Sequence, residues 1–553
     1  MKKWDLQSEI KFDENKFEPQ ELINVLLENR EIKTKKEIDN FLDPKLDDLD
    51  INLLGINKND LTKTLKRIKG AIGKKDLIII FGDYDADGIT GAAILWESLN
   101  ELGANVMPYI PNRITEGYGL SKKGVEGMMA RYPDTKMVVT VDNGIVAFEG
   151  VDSANSLGLD VIITDHHVRA QKLPNAFSIV HSTKVCGSAV GWFLSRFLEE
   201  KIKGKIDLKK HLDLVTIATI ADLVPLTEQS RILVKFGLKY LRETKRVGLL
   251  SLFEEAALDP EKIGTYEIGH IIAPRLNAMG RLEEGMDSLR LLCTKDEKKA
   301  KNLARTIGET NRNRQQITAE TVDHAKDAAS GKISKKLLFV YHESYQPGVI
   351  GLVAGRLTEE YYLPSIVLSK GEEFSKASAR SVSGLNIIEF IREASEFLVD
   401  AGGHPMAAGF TVETKKLELL EKKLEELAEK LISKEHLIRK LKIDCELSIG
   451  LVNLDLFGEL LKLEPFGMKN PSPVFLSKSL VIESLRFVGK ESKHVKIEFK
   501  KDKTIIGGIL FNYDKSLDLK IGDNVDVVYS IELNEWNGNK KIELKIRDIK
   551  KAD

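Results

Sequence analysis

Cysteine is scarce: Cys186, Cys293 and Cys445 are the only three in 553 residues. They form no CxxC pair and, being odd in number, no complete disulfide set. That excludes a disulfide-stapled fold and fits a reducing compartment. Long apolar runs are also missing, and nothing approaches the roughly 18 consecutive residues that a membrane span needs. The opening MKKWDLQSEIKFDENKF lacks the apolar core of a secretory leader, so a cytoplasmic location with no membrane attachment is expected. Neither charge predominates. With 83 basic and 84 acidic residues the net charge is −1, which argues against coating nucleic acid through bulk charge. A local basic groove stays open, because steering depends on where charge sits.

What is present is organised. Length alone suggests three or four domains. The stretch to about Lys75 reads as polar helices with few strong signals. Beyond it, LIIIF (77–81), NVMPYI (105–110), MVVTV (137–141), DVIIT (160–164) and FSIVH (177–181) are strand-like in length and branching. Helix-length segments separate them, which predicts a parallel sheet covered on both faces, an α/β fold. Residues 187–255 read as helices. The charged segment 296–330 lacks proline and reads either as one long helix bridging two domains or as a helix packed on a domain surface. A second α/β unit starts at KLLFVYHES (336–344) and runs through GGHPMAAGF to the amphipathic LELLEKKLEELAEKLISKEHLIRKL. After about Asp444, short alternating strands with glycine and Asn-Gly turns predict a small barrel.

Three carboxylates in FGDYDADG follow LIIIF directly. Asp83, Asp85, Asp87 and Gly88 fit positions 1, 3, 5 and 6 of a calcium loop, but position 12 is Ile94 and the preceding element is a strand, so that reading fails. A solvated turn remains the plain alternative. Two further clusters bear on it: Asp142-Asn143 follows MVVTV, and Asp165-His166-His167 follows DVIIT. Parallel sheets bind ligands at the carboxyl ends of their strands, so topology brings all three to one edge. Asp222, in ATIADLVPL, is either a fourth contributor or an ordinary helix-end residue. Carboxylates with one or two imidazoles and no thiolate suit Mn²⁺ or Mg²⁺, and a shared carboxylate can hold two ions about 3.5–4 Å apart for in-line displacement at phosphorus.

Gly402-Gly403-His404 offers close backbone approach to an anion, or merely a turn. Arg281, Ser378 and Arg380 carry groups suited to phosphate oxygens. The barrel region has Arg486, Lys490, Lys493, Lys496, Lys500, Lys501 and Lys503 interleaved with Phe487 and Phe499. That describes a single-strand platform, or a lysine-rich solvated surface with the Phe side chains in the core, equally well.

DYDADG, VDNG, TDHH, ATIADLVPL, NAMGR, HESYQPGVIGLVAGRL, SARS and GGHPMAAG stand in the order seen in the DHH phosphoesterase superfamily. From about Lys75 onward the chain most resembles the RecJ family of bacterial single-strand-specific exonucleases. After the N-terminal helical extension (1–74) read from pattern, the resemblance implies a DHH catalytic domain (75–295), a connecting helix (296–332), a DHHA1 substrate-binding domain (333–440) and an OB-fold domain (441–553). It implies Asp85, Asp87, Asp142, His166 and Asp222 as ligands of two Mn²⁺ or Mg²⁺ ions, with Asp142 bridging. His167 would face the scissile phosphate beside Asp165 and Asp142 in catalysis. Arg281, Ser378, Arg380, Gly402, Gly403 and His404 would grip phosphates, and Arg113 and Tyr118 would lie near the 5′ end. Many relatives have a histidine ligand where this chain has Phe81, so Asp83 is the candidate substitute.

The implied activity is 5′-to-3′ degradation of single-stranded DNA to 5′-mononucleotides in repair and recombination. A monomer is expected, partnered by a single-strand-binding protein and a helicase. The enzymatic rival is a phosphodiesterase of short oligonucleotides or cyclic dinucleotides, whose members generally lack the barrel. The rival of another class is an inactive DNA-binding scaffold, whose members have lost metal ligands.

Overall fold

The computed structural model describes residues 2–113, 115–202, 206–331, 335–536 and 539–552. The five apolar runs form strands Leu77–Gly82, Val106–Tyr109, Thr135–Val141, Asp160–Asp165 and Ser178–His181. All pair in parallel, in the spatial order second, first, third, fourth, fifth. Their residues are apolar without alternation because both faces are covered. Ile78, Ile80, Met137 and Val139 share one core with helices Ala86–Glu101 and Gly187–Ile202. Ile79, Phe81, Val138 and Ile163 share the other with Lys122–Arg131 and Phe148–Ser156. Phe81 is fully buried there, its ring 5.3 Å from that of Tyr109.

The charged segment is one helix, Glu297–Ala329, and it bridges. Its Ala300, Ala304 and Ile307 join the core of the parallel-sheet unit, while Ala325 and Ala329 join that of the second α/β unit. The end expected at 332–333 lies outside the described residues. The second unit has a mixed sheet of Leu398–His404, Ala407–Glu413, Phe374–Arg380, Ser365–Ser369 and Leu338–His342, in that spatial order, with only the last pair parallel. The amphipathic run is shorter than its pattern suggests. Its helix is Leu417–Leu431, because Lys440–Ile443 is instead drawn into a strand.

Strands Phe475–Val488, His494–Lys501, Thr504–Leu510, Asn539–Lys551 and Asn524–Trp536 follow one another around a barrel, and the last pairs back onto the first. The Asn-Gly turn at 537–538 lies outside the described residues. Of the two aromatics read as a platform, Phe499 is core and only Phe487 is exposed, set edge-on to Tyr513. Lys493, Lys496 and Lys500 are paired with Glu491, Glu543 and Glu483, so the basic stripe is partly neutralised.

The first 74 residues are not one extension. Lys3–Leu6 is a strand parallel to Lys440–Ile443, and Leu22, Ile23, Leu26 and Leu27 enter the barrel core. Leu61, Ile68 and Ala71 pack instead on the parallel-sheet unit. Arg231 links these parts: buried among carbonyls, it donates to Phe41, Leu463 and Glu464 and lies 3.6 Å over the Phe41 ring.

The back end of helix Ala86–Glu101 is held by a buried ionic network. Glu97 accepts from Arg246 at 2.6 and 3.0 Å and lies 2.9 Å from His211 Nε2; Arg246 also reaches Asp213 at 3.1 Å. Burial raises the Glu97 pKa, but the His211 and Arg246 contacts outweigh it and bring the carboxyl to about 2. A depressed folded pKa contributes stability that is complete above the unfolded value near 4.5 and is lost as pH falls through about 2. Glu97→Gln should therefore lower stability at neutral pH and flatten the acid limb across that window, as read by denaturant midpoints at stepped pH.

Candidate metal and phosphoester site

Three strands of the parallel sheet, Leu77–Gly82, Thr135–Val141 and Asp160–Asp165, end by delivering carboxylates or imidazoles to the same edge. After Leu77–Gly82 the chain turns into helix Ala86–Glu101 with Asp85 as its cap, accepting from the Asp87 and Gly88 amides at 3.0 Å. A β-carbon at Gly88 would sit 2.5 Å from the Asp83 backbone, which accounts for the glycine in DADG. Asp87 is aligned by the start of the next long helix, accepting from Gly187 and Ser188 amides at 2.7 Å each. Asp142 follows Thr135–Val141 in a left-handed conformation, φ 62°, a strained placement typical of functional positions.

His166 Nε2 lies 3.0 Å from Asp142, 3.4 Å from Asp222 and 3.8 Å from Asp87. Asp222 is the C-terminal cap of helix Leu212–Ala221, so both readings of it hold. Among the described residues, three groups have donor atoms within 4.8 Å of one another: Asp87, His166 and Asp222; Asp83, Asp85 and Asp142; and Asp142, His166 and His167. Asp142 belongs to the last two and touches His166 of the first. Asp83 Oδ1, Asp142 Oδ1 and His166 Nε2 are buried and make no hydrogen bond of good geometry among the described residues, although the last two lie 3.0 Å apart. Such orphaned atoms are costly unless a cation meets them, so the donor set fits a divalent metal.

The electrostatics agree. Burial, then repulsion from Asp85, lifts the Asp83 pKa well above the usual range, and burial with repulsion from Asp87 does the same at Asp142. Asp222 is raised to about 8 for the same reasons, whereas burial lowers His166. Asp165 differs. Its two oxygens accept from the amides of Ile145, His166 and His167, and Oδ1 lies 2.8 Å from His167 Nδ1. Burial opposes ionisation of Asp165, but these bonds outweigh it and lower its pKa; on His167 the pairing overcomes burial and raises it to about 9. Asp165 thus holds three backbone amides and the His167 ring at once, an arrangement that can orient His167.

Facing this edge is a cleft of about 760 Å³, lined among others by Asp83, Asp85, Arg113, Tyr118, Arg281, Ser378, Arg380 and Gly403. Tyr118 Oη lies 3.4 Å from His167 Nε2, and Arg113 sits 5.2 Å from the Tyr84 ring centre. His404 stacks 6.1 Å from His167 across the gap between the two units. Arg281 donates to Gly348 O and Arg380 to Ser378 Oγ. Burial and then neighbouring guanidinium charge bring the Arg281 pKa down to about 10. Gly403, at φ 145°, must lack a β-carbon for the hairpin, since that atom would meet Ala407 O at 2.4 Å, while Gly402 has open space. Sequence reasoning missed Asn277, whose Oδ1 accepts from the Ala86 amide at 2.6 Å, and the Gly187–Ser188 cradle of Asp87. NAMGR contained the first signal, one helical turn before Arg281; the second has none, because it is made by backbone.

Residues 77–219 match the DHH family, N-terminal domain; residues 334–431 match the DHHA1 domain; residues 443–548 match the RecJ OB domain. The single-stranded-DNA-specific exonuclease RecJ of Salmonella typhimurium is 30% identical over 509 residues, covering 85% of this chain and 87% of that protein. The chain belongs to the RecJ family. Bacillus subtilis RecJ is 34% identical over 87% of this chain, which spans 62% of the length of that relative. The crystal structure of Thermus thermophilus RecJ in complex with Mn²⁺ superposes with a TM-score of 0.83 at 27% identity, covering all of this chain and 80% of that one. The RecJ-family architecture thus accounts for the parallel sheet, the bridging helix, the mixed sheet and the barrel.

Proposed function

We propose that this chain is a Mn²⁺- or Mg²⁺-dependent exonuclease that degrades single-stranded DNA from its 5′ end to 5′-mononucleotides. The observation that carries the reading is the convergence of orphaned, buried Asp83, Asp142 and His166 atoms beside a cleft rich in guanidinium groups. Asp87, Asp142, His166 and Asp222 would hold one ion, and Asp85 and Asp142 a second, with Asp83 filling in where Phe81 leaves no ligand. When bound, the ions neutralise charge at phosphorus and make water a better nucleophile. The protein supplies position and donors. Arg113, Tyr118, Arg281, Ser378, Arg380 and His404, with backbone at Gly402 and Gly403, seat the terminal phosphate. His167, kept protonated by Asp165, donates to a non-bridging oxygen of the scissile phosphate.

The ligand candidates, retained apart from Phe81, disfavour the inactive-scaffold reading, and the barrel disfavours the short-oligonucleotide one. The protein acts as a monomer in repair and recombination, on strands exposed by a helicase and covered by a single-strand-binding protein. The test offers single strands labelled at either end, with Mn²⁺, Mg²⁺ or EDTA. A 5′ label should appear at once as mononucleotide and a 3′ label only in progressively shorter strands, with no cleavage in EDTA. Attack from the 3′ end, or activity that persists in EDTA, overturns the reading.

A further inference from the structure

The residue after Asp222 is out of keeping with its conformation. Leu223 N–H meets Ile220 O, and Val224 N–H meets Thr219 O, each at 3.3 Å. These paired bonds define a helix ending whose next position turns left-handed, and Leu223 accordingly has φ 56°. Glycine usually takes that position, because a β-carbon there crowds the following carbonyl. Among described residues with positive φ, Leu223 is the one aliphatic side chain larger than a methyl. Packing does not offset the strain, since Leu223 is 65% exposed while Val224 and Leu226 on either side of Pro225 are buried. An apolar side chain that is strained and still held in water, next to a carboxylate 3.4 Å from His166, calls for a ligand.

Position suggests which part of a ligand. The phosphate-gripping cleft is lined by Asp83 and Asp85, and Asp222 meets the cluster through His166. From Leu223 the chain leads to Leu226, whose N–H meets Met468 O in the segment before the barrel, and Met468 is itself half-exposed. A strand seated by its 5′ phosphate in the cleft would pass Leu223 on its way to the barrel. We propose that Leu223 is an apolar wedge against the nucleobase immediately 3′ of the scissile phosphate, separating it from the base about to leave. Leucine is among the side chains that proteins insert at base steps in this way. The inference rests on the exonuclease reading above.

Leu223→Gly and Leu223→Asn both suit a left-handed backbone, and asparagine matches leucine in size without its apolar surface. Both variants should melt at the wild-type temperature or higher, and their Mn²⁺-induced thermal shift should be unchanged. Their kcat/KM on single strands should fall roughly tenfold, the scale of one base contact. A strand with an abasic second nucleotide should cost the wild type a similar factor and the variants nothing more. Equal loss by wild type and variants on that strand, or loss of the Mn²⁺ shift, overturns the wedge. So does a wild type that cuts intact strands no faster than the variants. A wild type that leaves the intact strand uncut overturns the exonuclease reading itself.

Discussion

Asp142→Asn should abolish strand cleavage, by on the order of 10³-fold or more, while making the metal-free protein more stable. The two effects share one cause. Asp142 is buried and surrounded by Asp83, Asp85, Asp87 and Asp222, so without a cation its charge is held against desolvation and repulsion. Because its folded pKa is raised, the ionised carboxylate is a liability that grows as pH rises above about 4, the unfolded value. Asparagine removes the charge and keeps the shape. The stability gain in EDTA should therefore be small near pH 4 and larger near pH 8. Mn²⁺ should reverse the order, since binding at a hundred times Kd stabilises the wild type by about 2.7 kcal/mol and the variant by little. Melting curves at both pH values, with EDTA and with Mn²⁺, measure all four states. A variant less stable than wild type in EDTA at pH 8 would contradict the assignment.

How much of this was legible beforehand depends on the kind of signal. The parallel sheet was readable because each buried strand is a short, branched, apolar run, and its edge fixed where Asp83–Asp87, Asp142 and Asp165–His167 emerge. Asp222 was ambiguous in sequence because a helix cap and a site residue look alike; it caps its helix and also lies 3.4 Å from His166, and only the structure shows the second. The place of the first 40 residues in the barrel core was not readable. Pairing of Lys3–Leu6 with Lys440–Ile443 links segments more than 430 positions apart, and nothing in either four-residue strand specifies its partner. Phe499 was left open between platform and core for a related reason. Its basic neighbours suggested a binding face, but alternation along His494–Lys501 turns Val495, Ile497 and Phe499 inward and Lys496, Glu498 and Lys500 outward. The letters Asp165-His166-His167 do not reveal that Asp165 accepts from three backbone amides and lies 2.8 Å from His167 Nδ1; only geometry separates it in this way from the other carboxylates.

That distinction carries the second large effect. Asp165→Asn should lower kcat by on the order of 10²–10⁴-fold while leaving Mn²⁺ affinity nearly intact. Both oxygens of Asp165 accept hydrogen bonds, three from backbone amides and one aimed at His167 Nδ1. An amide offers one acceptor and one donor, so either the Ile145 amide or the His167 contacts lose their partner. The carboxylate charge that keeps His167 protonated to about 9 disappears in either case. His167 then titrates lower, and the surviving activity should be lost at a lower pH than in the wild type. Asp142, Asp87 and Asp222 do not bond to Asp165, so the ion they would hold should still produce its thermal shift. The loss must also run through His167. Adding Asp165→Asn to His167→Ala should cost little more than His167→Ala alone, which a double-mutant cycle in kcat reads directly. Additive losses would mean that Asp165 acts on the metal cluster itself, and the division of labour between the two neighbours would have to be redrawn.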